Sequence, residues 1–250
     1  MKQFFSVFIA LLFIVSCSSD EASPVLSTEG TKLLSIHNTL AYGAYNVDYT
    51  YDGNFLKTNT VTNYPSITYS YNGNLIVSAN TSQITQLFTY DSQERLIKTE
   101  NTAPDGYQYE EYTYPDAQTI LVKQYWEGNL VRKQTIHMEN NEIASFENEI
   151  LTDTEWVYSS YSFTYDNKNN PRAQWPGFDK IFMSYGLRSS VWGRYHNPTS
   201  AVETTPGEST PGSAWYNITY NSQDFPIHVE YVDEDGIPFG TVQDYFYQGN

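Results

Sequence analysis

Aromatic and β-branched residues alternate with polar ones in short runs from residue 42 to residue 165 and again from 213 to 247, and pairs such as Asp-Gly and Asn-Gly punctuate the runs. Period-two alternation sets every second side chain on the same face of a strand. The segment Tyr49-Thr50-Tyr51-Asp52-Gly53-Asn54-Phe55-Leu56 shows the unit, and Tyr69-Ser70-Tyr71-Asn72-Gly73-Asn74-Leu75-Ile76 repeats it. Its aromatics favour a pleated surface, the Asx-Gly pair tolerates the positive φ of a tight turn, and the aliphatic pair begins a return strand. A two-residue loop then sets Tyr49 opposite Leu56 and Tyr69 opposite Ile76. The anchors Tyr51, Tyr71 and Tyr90 are spaced by 20 and 19 residues, so one period is two strands and two turns.

Reading onward gives strands near 42–51, 54–61, 66–71, 74–79, 84–90, 95–101, 107–114, 118–125, 129–138, 142–150, 154–165, 213–221, 226–232 and 239–247. One short helix is expected near 178–185. The pattern predicts an all-β fold, an up-and-down antiparallel meander of hairpins. Apolar residues on both faces point to a strongly curved open sheet or half-barrel that wraps its concave face round its own side chains.

The Tyr-Asp-x-x-Gly-Asn/Arg-Leu pattern, also legible in Phe88-Thr89-Tyr90-Asp91 with Arg95-Leu96 and in Phe163-Thr164-Tyr165-Asp166, resembles the YD repeats of RHS proteins. Together with the N-terminal motif described next, it looks like a group of Bacteroidetes surface lipoproteins with RHS-like sheets and no settled activity. The resemblance covers 42–171 well and 213–247 loosely. Only Arg95 keeps the Arg-Leu form, and Tyr114-Pro115 breaks the turn chemistry. RHS sheets form a hollow shell around a toxin. This chain is too short for a full shell, so the resemblance implies the fold and not encapsulation, and it brings no catalytic residues with it.

At the N-terminus, Met1-Lys2-Gln3 precedes an apolar run from Phe4 to Val15, too short for a membrane span and suited to a signal peptide. Ile14-Val15-Ser16-Cys17 resembles the bacterial lipobox, after which the cysteine sulfur carries diacylglycerol, and Cys17 is the only cysteine. The expected organisation is a lipoprotein signal peptide at 1–16, a flexible acidic tether at 17–30, and one β domain at 31–250. The expected membrane attachment is the lipid alone, with acyl chains contributing about 0.8 kcal/mol per buried methylene. Ser18 replaces the aspartate of an inner-membrane retention signal, and Ser18-Ser19-Asp20-Glu21 resembles the acidic export signal of Bacteroidetes surface lipoproteins. The expected place is the outer membrane, surface-exposed, with a periplasm-facing orientation as the alternative.

Charge removes further classes. With 13 Lys and Arg against 29 Asp and Glu the net charge is −16, which repels phosphate backbones and excludes nucleic acid as a partner. His37, His137, His196 and His228 lack metal spacing, and no nucleophile or zinc motif occurs. Asp233-Glu234-Asp235-Gly236 is oxygen-rich but lacks the later bidentate glutamate of a calcium loop. No metal, cofactor or catalytic residue is expected.

The stretch 171–212 departs from the repeat and reads as an irregular insertion plugging one end of the sheet. Its aromatics Trp175, Trp192 and Tyr195 are the candidate ligand-binding residues, as stacking platforms for a glycan or another envelope ligand. The expected function is a non-catalytic binding module. The alternatives are a structural partner of an outer-membrane protein and, below that, a glycan-active hydrolase.

Overall fold

The computed structural model describes residues 31–182, 193–206 and 213–249. The first eight strands are β1 (Leu33–Leu40), β2 (Gly43–Asp52), β3 (Phe55–Val61), β4 (Ile67–Asn72), β5 (Leu75–Asn80), β6 (Thr85–Tyr90), β7 (Leu96–Ala103) and β8 (Gly106–Thr113). The second eight are β9 (Thr119–Trp126), β10 (Asn129–Glu139), β11 (Glu142–Leu151), β12 (Trp156–Tyr165), β13 (Pro198–Thr204), β14 (Ala214–Tyr220), β15 (Pro226–Val232) and β16 (Pro238–Tyr247). Each pairs antiparallel with its sequence neighbours, and β1 pairs with β16. The sheet is a closed sixteen-strand barrel, which corrects the expected open sheet or half-barrel.

Two strands outside the repeat pattern make the closure. β1 bridges β16 and β2, with Ile36 opposite Tyr245 on one side and Val47 on the other. β13 lies inside the stretch expected to be irregular and joins β12 to β14. The helix expected near 178–185 is instead a three-residue 3₁₀ turn, Phe178–Lys180, led by Gly177 in the left-handed conformation at φ 74°. Residues 183–185 lie outside the described residues. Pro171–Gln174 forms a second 3₁₀ turn, capped by the Asn170 side chain.

The same irregularity recurs in five strand pairs and bends the wall. Thr50 faces Thr58, yet Tyr51 faces Leu56, so Lys57 is an extra residue. The equivalent shifts fall at Ser70/Tyr71, Thr89/Tyr90, Thr164/Tyr165 and Thr219/Tyr220. Such bulges bend the bulged strand and increase the twist, and repeating them round the sheet curls it towards closure. The expected pairing of Tyr49 with Leu56 is displaced accordingly: Tyr49 faces Asn59, and the loop is Gly53-Asn54.

The bulge brings the turn tyrosine and the following aliphatic to the same inward face. There the tyrosine hydroxyls donate to carbonyls of the preceding hairpin, except that of Tyr220, which donates to the Asp166 carboxylate. Tyr51 reaches the Leu33 carbonyl at 2.6 Å, Tyr71 that of Leu56 at 3.0 Å and Tyr90 that of Ile76 at 2.7 Å. Tyr114 reaches Leu96 at 2.7 Å, Tyr165 reaches Ile143 at 2.9 Å and Tyr247 reaches Pro226 at 2.6 Å. This ladder explains why the repeat uses tyrosine where phenylalanine would pack as well.

A sixteen-strand barrel is too wide for its own side chains to fill. The chain after β12 therefore folds into one end. Trp175 joins Leu33, Ile36, Tyr49, Leu56, Phe225 and Tyr247 in one apolar cluster. Phe182 joins Ile76, Phe88, Leu96, Tyr112, Ile136 and Phe146 in the other. Beyond this plug the buried residues of the wall become polar, with Asn38, Gln108, Glu110, Gln124, Gln134, Asn148 and Gln243. The outer wall is mixed: exposed apolar side chains such as Leu87, Leu121 and Phe246 alternate with polar groups, among them a Thr50–Thr58 hydroxyl pair at 2.6 Å and ion pairs Lys133–Glu149 at 2.8 Å and Lys98–Glu100 at 2.9 Å.

Candidate ligand-binding groove at the plugged end

Two carboxylates, Glu142 buried and Asp166 half-buried, hold the plug. Glu142, the first residue of β11, accepts the backbone N–H groups of Arg194, Tyr195 and His196 at 2.6, 2.7 and 2.8 Å. Asp166, just after β12, accepts from the backbone of Lys168 and Asn197 at 2.9 and 3.0 Å and from the Tyr220 hydroxyl. The Asn170 amide donates to the carbonyls of Gly193 and His196 at 2.7 and 3.2 Å. Gly177 rests on the β4–β5 turn, so closely that a Cβ there would meet the Asn74 carbonyl oxygen at 2.5 Å.

Around this plug run two adjoining cavities of about 580 and 420 Å³ that share Glu94 and Lys180 in their walls. Both volumes fall within the range of small-molecule sites, roughly 300–1,000 Å³. The larger is lined by Tyr51, Phe55, Trp175, Asp179 and Tyr195, among others, and the smaller by Arg95, Tyr114, Asp116, Phe182 and Arg194.

Charge is arranged in pairs between the two. Lys180 lies 3.3 Å from Asp179, and Arg194 donates to the Asp179 and Asn141 carbonyls at 2.9 Å each. The Arg194 guanidinium stands 5.5 Å from the ring centres of both Phe182 and Tyr195, within cation–π range. The Tyr195 hydroxyl donates to Asp179 at 3.2 Å. Burial first, and then the negative charge of Asp179, push the Tyr195 phenol above its usual range. Burial pushes the Tyr114 phenol up to about 12, against the opposing pull of Arg95, which stacks 4.6 Å from its ring centre.

The structure brings two of the sequence candidates, Trp175 and Tyr195, to one cavity. They differ in availability. Trp175 is only 4 % exposed, packs edge-on against Phe178, and spends its indole N–H on the Tyr51 hydroxyl at 3.1 Å. Tyr195 is half-buried. Trp192 and Cys17 lie outside the described residues. The sequence reading missed Asp179, Lys180, Arg194 and Arg95. Arg95 is legible only as part of the repeat, and no motif marks the other three, because only the folding of the described parts of the insertion, 171–182 and 193–197, across the barrel mouth sets them beside the turns of other hairpins.

The walls offer hydroxyl, amide, carboxylate and cationic groups beside ring faces, a set suited to hydrogen-bonding and stacking on a polyhydroxylated ligand. Among the described residues, no three His, Cys, Asp or Glu side chains come together as a metal site. Asp233 uses one carboxylate oxygen to accept the N–H groups of Asp235 and Ile237 at 3.0 and 2.8 Å, the turn chemistry of an Asx motif.

No protein-family profile and no curated protein matches the chain. Its fold is similar to that of solved structures. One is a porin-like protein from Bacteroides vulgatus, with 10 % identity over 88 % of this chain and 100 % of that one, at a TM-score of 0.62. Another is a porin-like protein from Bacteroides uniformis, with 10 % identity over 87 % and 98 % of the two chains, at a TM-score of 0.58. The likeness to RHS repeats therefore stays with the quoted residues, and the shared architecture is that of an antiparallel β-barrel.

Proposed function

We propose that this chain is a non-catalytic binding module of the outer membrane, held there by a lipid on Cys17, that captures a glycan or a chemically similar envelope ligand in the groove around the plug. The observation that carries the reading is the pair of adjoining cavities, the larger lined by Tyr195 and Asp179, the smaller by Arg194, with Lys180 in the wall of both. A rigid barrel with a pinned plug supplies the preorganised wall that such capture needs.

The barrel wall itself stands in water in this reading. A membrane-spanning barrel presents an outward apolar band about 25 Å tall. Here outward apolar side chains such as Leu87, Leu121 and Phe246 are interrupted by the Lys133–Glu149 and Lys98–Glu100 ion pairs and by threonine pairs such as Thr50–Thr58, so no unbroken apolar band forms. Attachment then falls to the N-terminal lipid.

A glycan array probed with the detergent-solubilised lipoprotein tests the binding. Specific signals that weaken in Tyr195→Ala and Lys180→Ala proteins are expected, and silence from a folded protein would refute the reading. The anchor is tested separately, since the Cys17→Ser protein should leave the detergent phase for the aqueous one.

A further inference from the structure

The two poles of the barrel differ in chemistry. An up-and-down meander sends alternate turns to opposite ends. The turns at the plugged end, such as Gly53-Asn54, Gly73-Asn74 and Asn140-Asn141, expose no large apolar side chain. The turns at the other end do so repeatedly. Tyr42 follows β1, Tyr64 follows β3, Ile84 precedes β6, Trp156 opens β12, and Ile237 and Phe239 flank the start of β16. Tyr42 is fully exposed and Tyr64 is 71 % exposed. Single exposed apolar residues such as Leu34, Leu121 and Phe246 on the wall strands are ordinary, but among the described residues the three most exposed large apolar side chains, Tyr42, Tyr64 and Ile237, all stand on the turns of this one pole, and such a cluster marks an interaction surface.

The same turns are acidic. They hold Asp105, Glu127, Asp153, Glu155, Asp233, Glu234 and Asp235, and among the described residues none contains a lysine or arginine. The plugged pole instead carries both signs, with Arg95, Lys168 and Lys180 paired to Asp91, Asp224 and Asp179.

We infer that the unplugged pole is a docking surface for a protein segment that is both cationic and apolar, such as a basic amphipathic helix or a basic rim on another envelope protein. Carboxylates steer such a partner and select against acidic ones, while the aromatic tips supply the buried area. A bilayer bearing anionic headgroups is repelled by this pole, and so is the same pole of a second copy. The chain enters the barrel at the plugged end, where Lys32 donates to the Gly53 carbonyl at 2.6 Å and Leu33 faces Tyr247.

The test uses the detergent-solubilised full chain and three probes: a synthetic Lys/Leu amphipathic helix, its Glu/Leu counterpart, and vesicles of phosphatidylcholine with phosphatidylglycerol. Two variants alter the pole, Tyr64→Ser/Ile84→Ser/Phe239→Ser and Asp153→Asn/Glu155→Gln/Glu234→Gln/Asp235→Asn. A third, Asp52→Asn/Glu139→Gln, alters exposed carboxylates beside the plugged-end turns, outside both cavities, as a control. All sites lie at or beside exposed turns, and thermal melts confirm folding. The expected result is binding of the Lys/Leu helix alone, weakened roughly tenfold by each pole variant and unchanged by the control. Loss with the charge variant but not the apolar one would reduce the effect to generic acidity and overturn the inference. No binding, equal binding of the Glu/Leu helix, or equal binding of the vesicles would overturn it as well.

Discussion

The Glu142 carboxylate holds the backbone of Tyr195 at 2.7 Å while also accepting the N–H groups of its two neighbours, Arg194 and His196. A residue at the start of β11 thereby fixes the position of a groove residue more than fifty positions later in the chain. Charge-assisted hydrogen bonds contribute about 1.5–3 kcal/mol each, and orphaned buried donors cost about 1–3 kcal/mol. The Glu142→Ala protein should lose roughly 3 kcal/mol or more in urea unfolding, and Glu142→Gln should lose less because its amide oxygen still accepts. Equal stability of all three proteins would show that the plug is held by its apolar contacts alone.

The tyrosine ladder predicts a distributed cost. Changing Tyr51, Tyr90 or Tyr247 to Phe keeps the ring and removes one hydroxyl that donates to a carbonyl. Tyr90→Phe and Tyr247→Phe should each lower stability by about 1 kcal/mol, and Tyr51→Phe by more, because it also orphans the Trp175 indole N–H. Tyr90 and Tyr247 lie on strands far apart round the barrel, so their losses should add within about 0.5 kcal/mol. Tyr42→Phe, on a fully exposed side chain, should fall within about 0.5 kcal/mol of wild type. Denaturant midpoints of the four single variants and of the Tyr90→Phe/Tyr247→Phe double variant, each against wild type, decide the point.

Two glycines separate backbone conformation from packing. Gly53 takes φ 57° in open space, so Gly53→Ala costs only the left-handed conformation, roughly 1–2 kcal/mol. Gly177 takes φ 74° and also abuts the Asn74 carbonyl oxygen and the Ile76 nitrogen. Gly177→Ala should therefore cost clearly more than Gly53→Ala. It should also expose Trp175 to solvent, seen as a red shift of tryptophan emission.

Glu110 predicts a pH dependence. Its carboxyl is buried in the wall and accepts from Thr99, Tyr112 and Gln124. Burial raises its pKa, against the opposing hydrogen bonds from Tyr112 and Thr99 and the charge of Arg132. A raised folded-state pKa means that the proton is bound more tightly in the native barrel. Its stabilising effect is complete below the unfolded pKa of about 4.3 and disappears as pH climbs through the folded value. Glu110→Gln should thus be more stable than wild type at neutral pH, with the gain shrinking on acidification to pH 4. A gain that does not change with pH would show that Glu110 is not the titrating group.

At alkaline pH the sign is the same and the groups are the tyrosines. Burial pushes Tyr71, Tyr216 and Tyr245 up to about 12 from an ordinary value near 10. Their neutral forms stabilise the barrel fully below pH 10, and that contribution is lost as pH rises towards about 12. Tyrosinate absorbance from this set should appear together with the loss of β-sheet circular dichroism. Full ionisation with the sheet intact would contradict the burial.

The candidate site was only partly legible in the sequence. Trp175 and Tyr195 stood out because they lie outside the repeat, and both reach the groove. Exceptional position in a sequence does not distinguish a platform from core, however. Trp175 is enclosed by Tyr49, Phe178 and the Tyr51 hydroxyl, whereas Tyr195 keeps part of its surface open. Asp179, Lys180 and Arg194 carried no signal, since a charged residue in an irregular stretch says nothing until its neighbours are known.

Local chemistry along the chain determined the hairpins. The two-residue alternation specified the strands, Gly53, Gly73 and Gly128 specified turns with positive φ, and the 19–20-residue period specified a meander. What the sequence did not determine was whether the meander closes. That depended on β1 and β13, two strands outside the repeat, and on bulges whose curvature accumulates only when many hairpins stand side by side. Closure then imposed the rest. A ring of sixteen strands leaves a lumen too wide for its own side chains, so the irregular segment had to fill one end, and filling it created the groove. Period and turn chemistry are properties of neighbouring residues, whereas closure and cavity are properties of the whole ring.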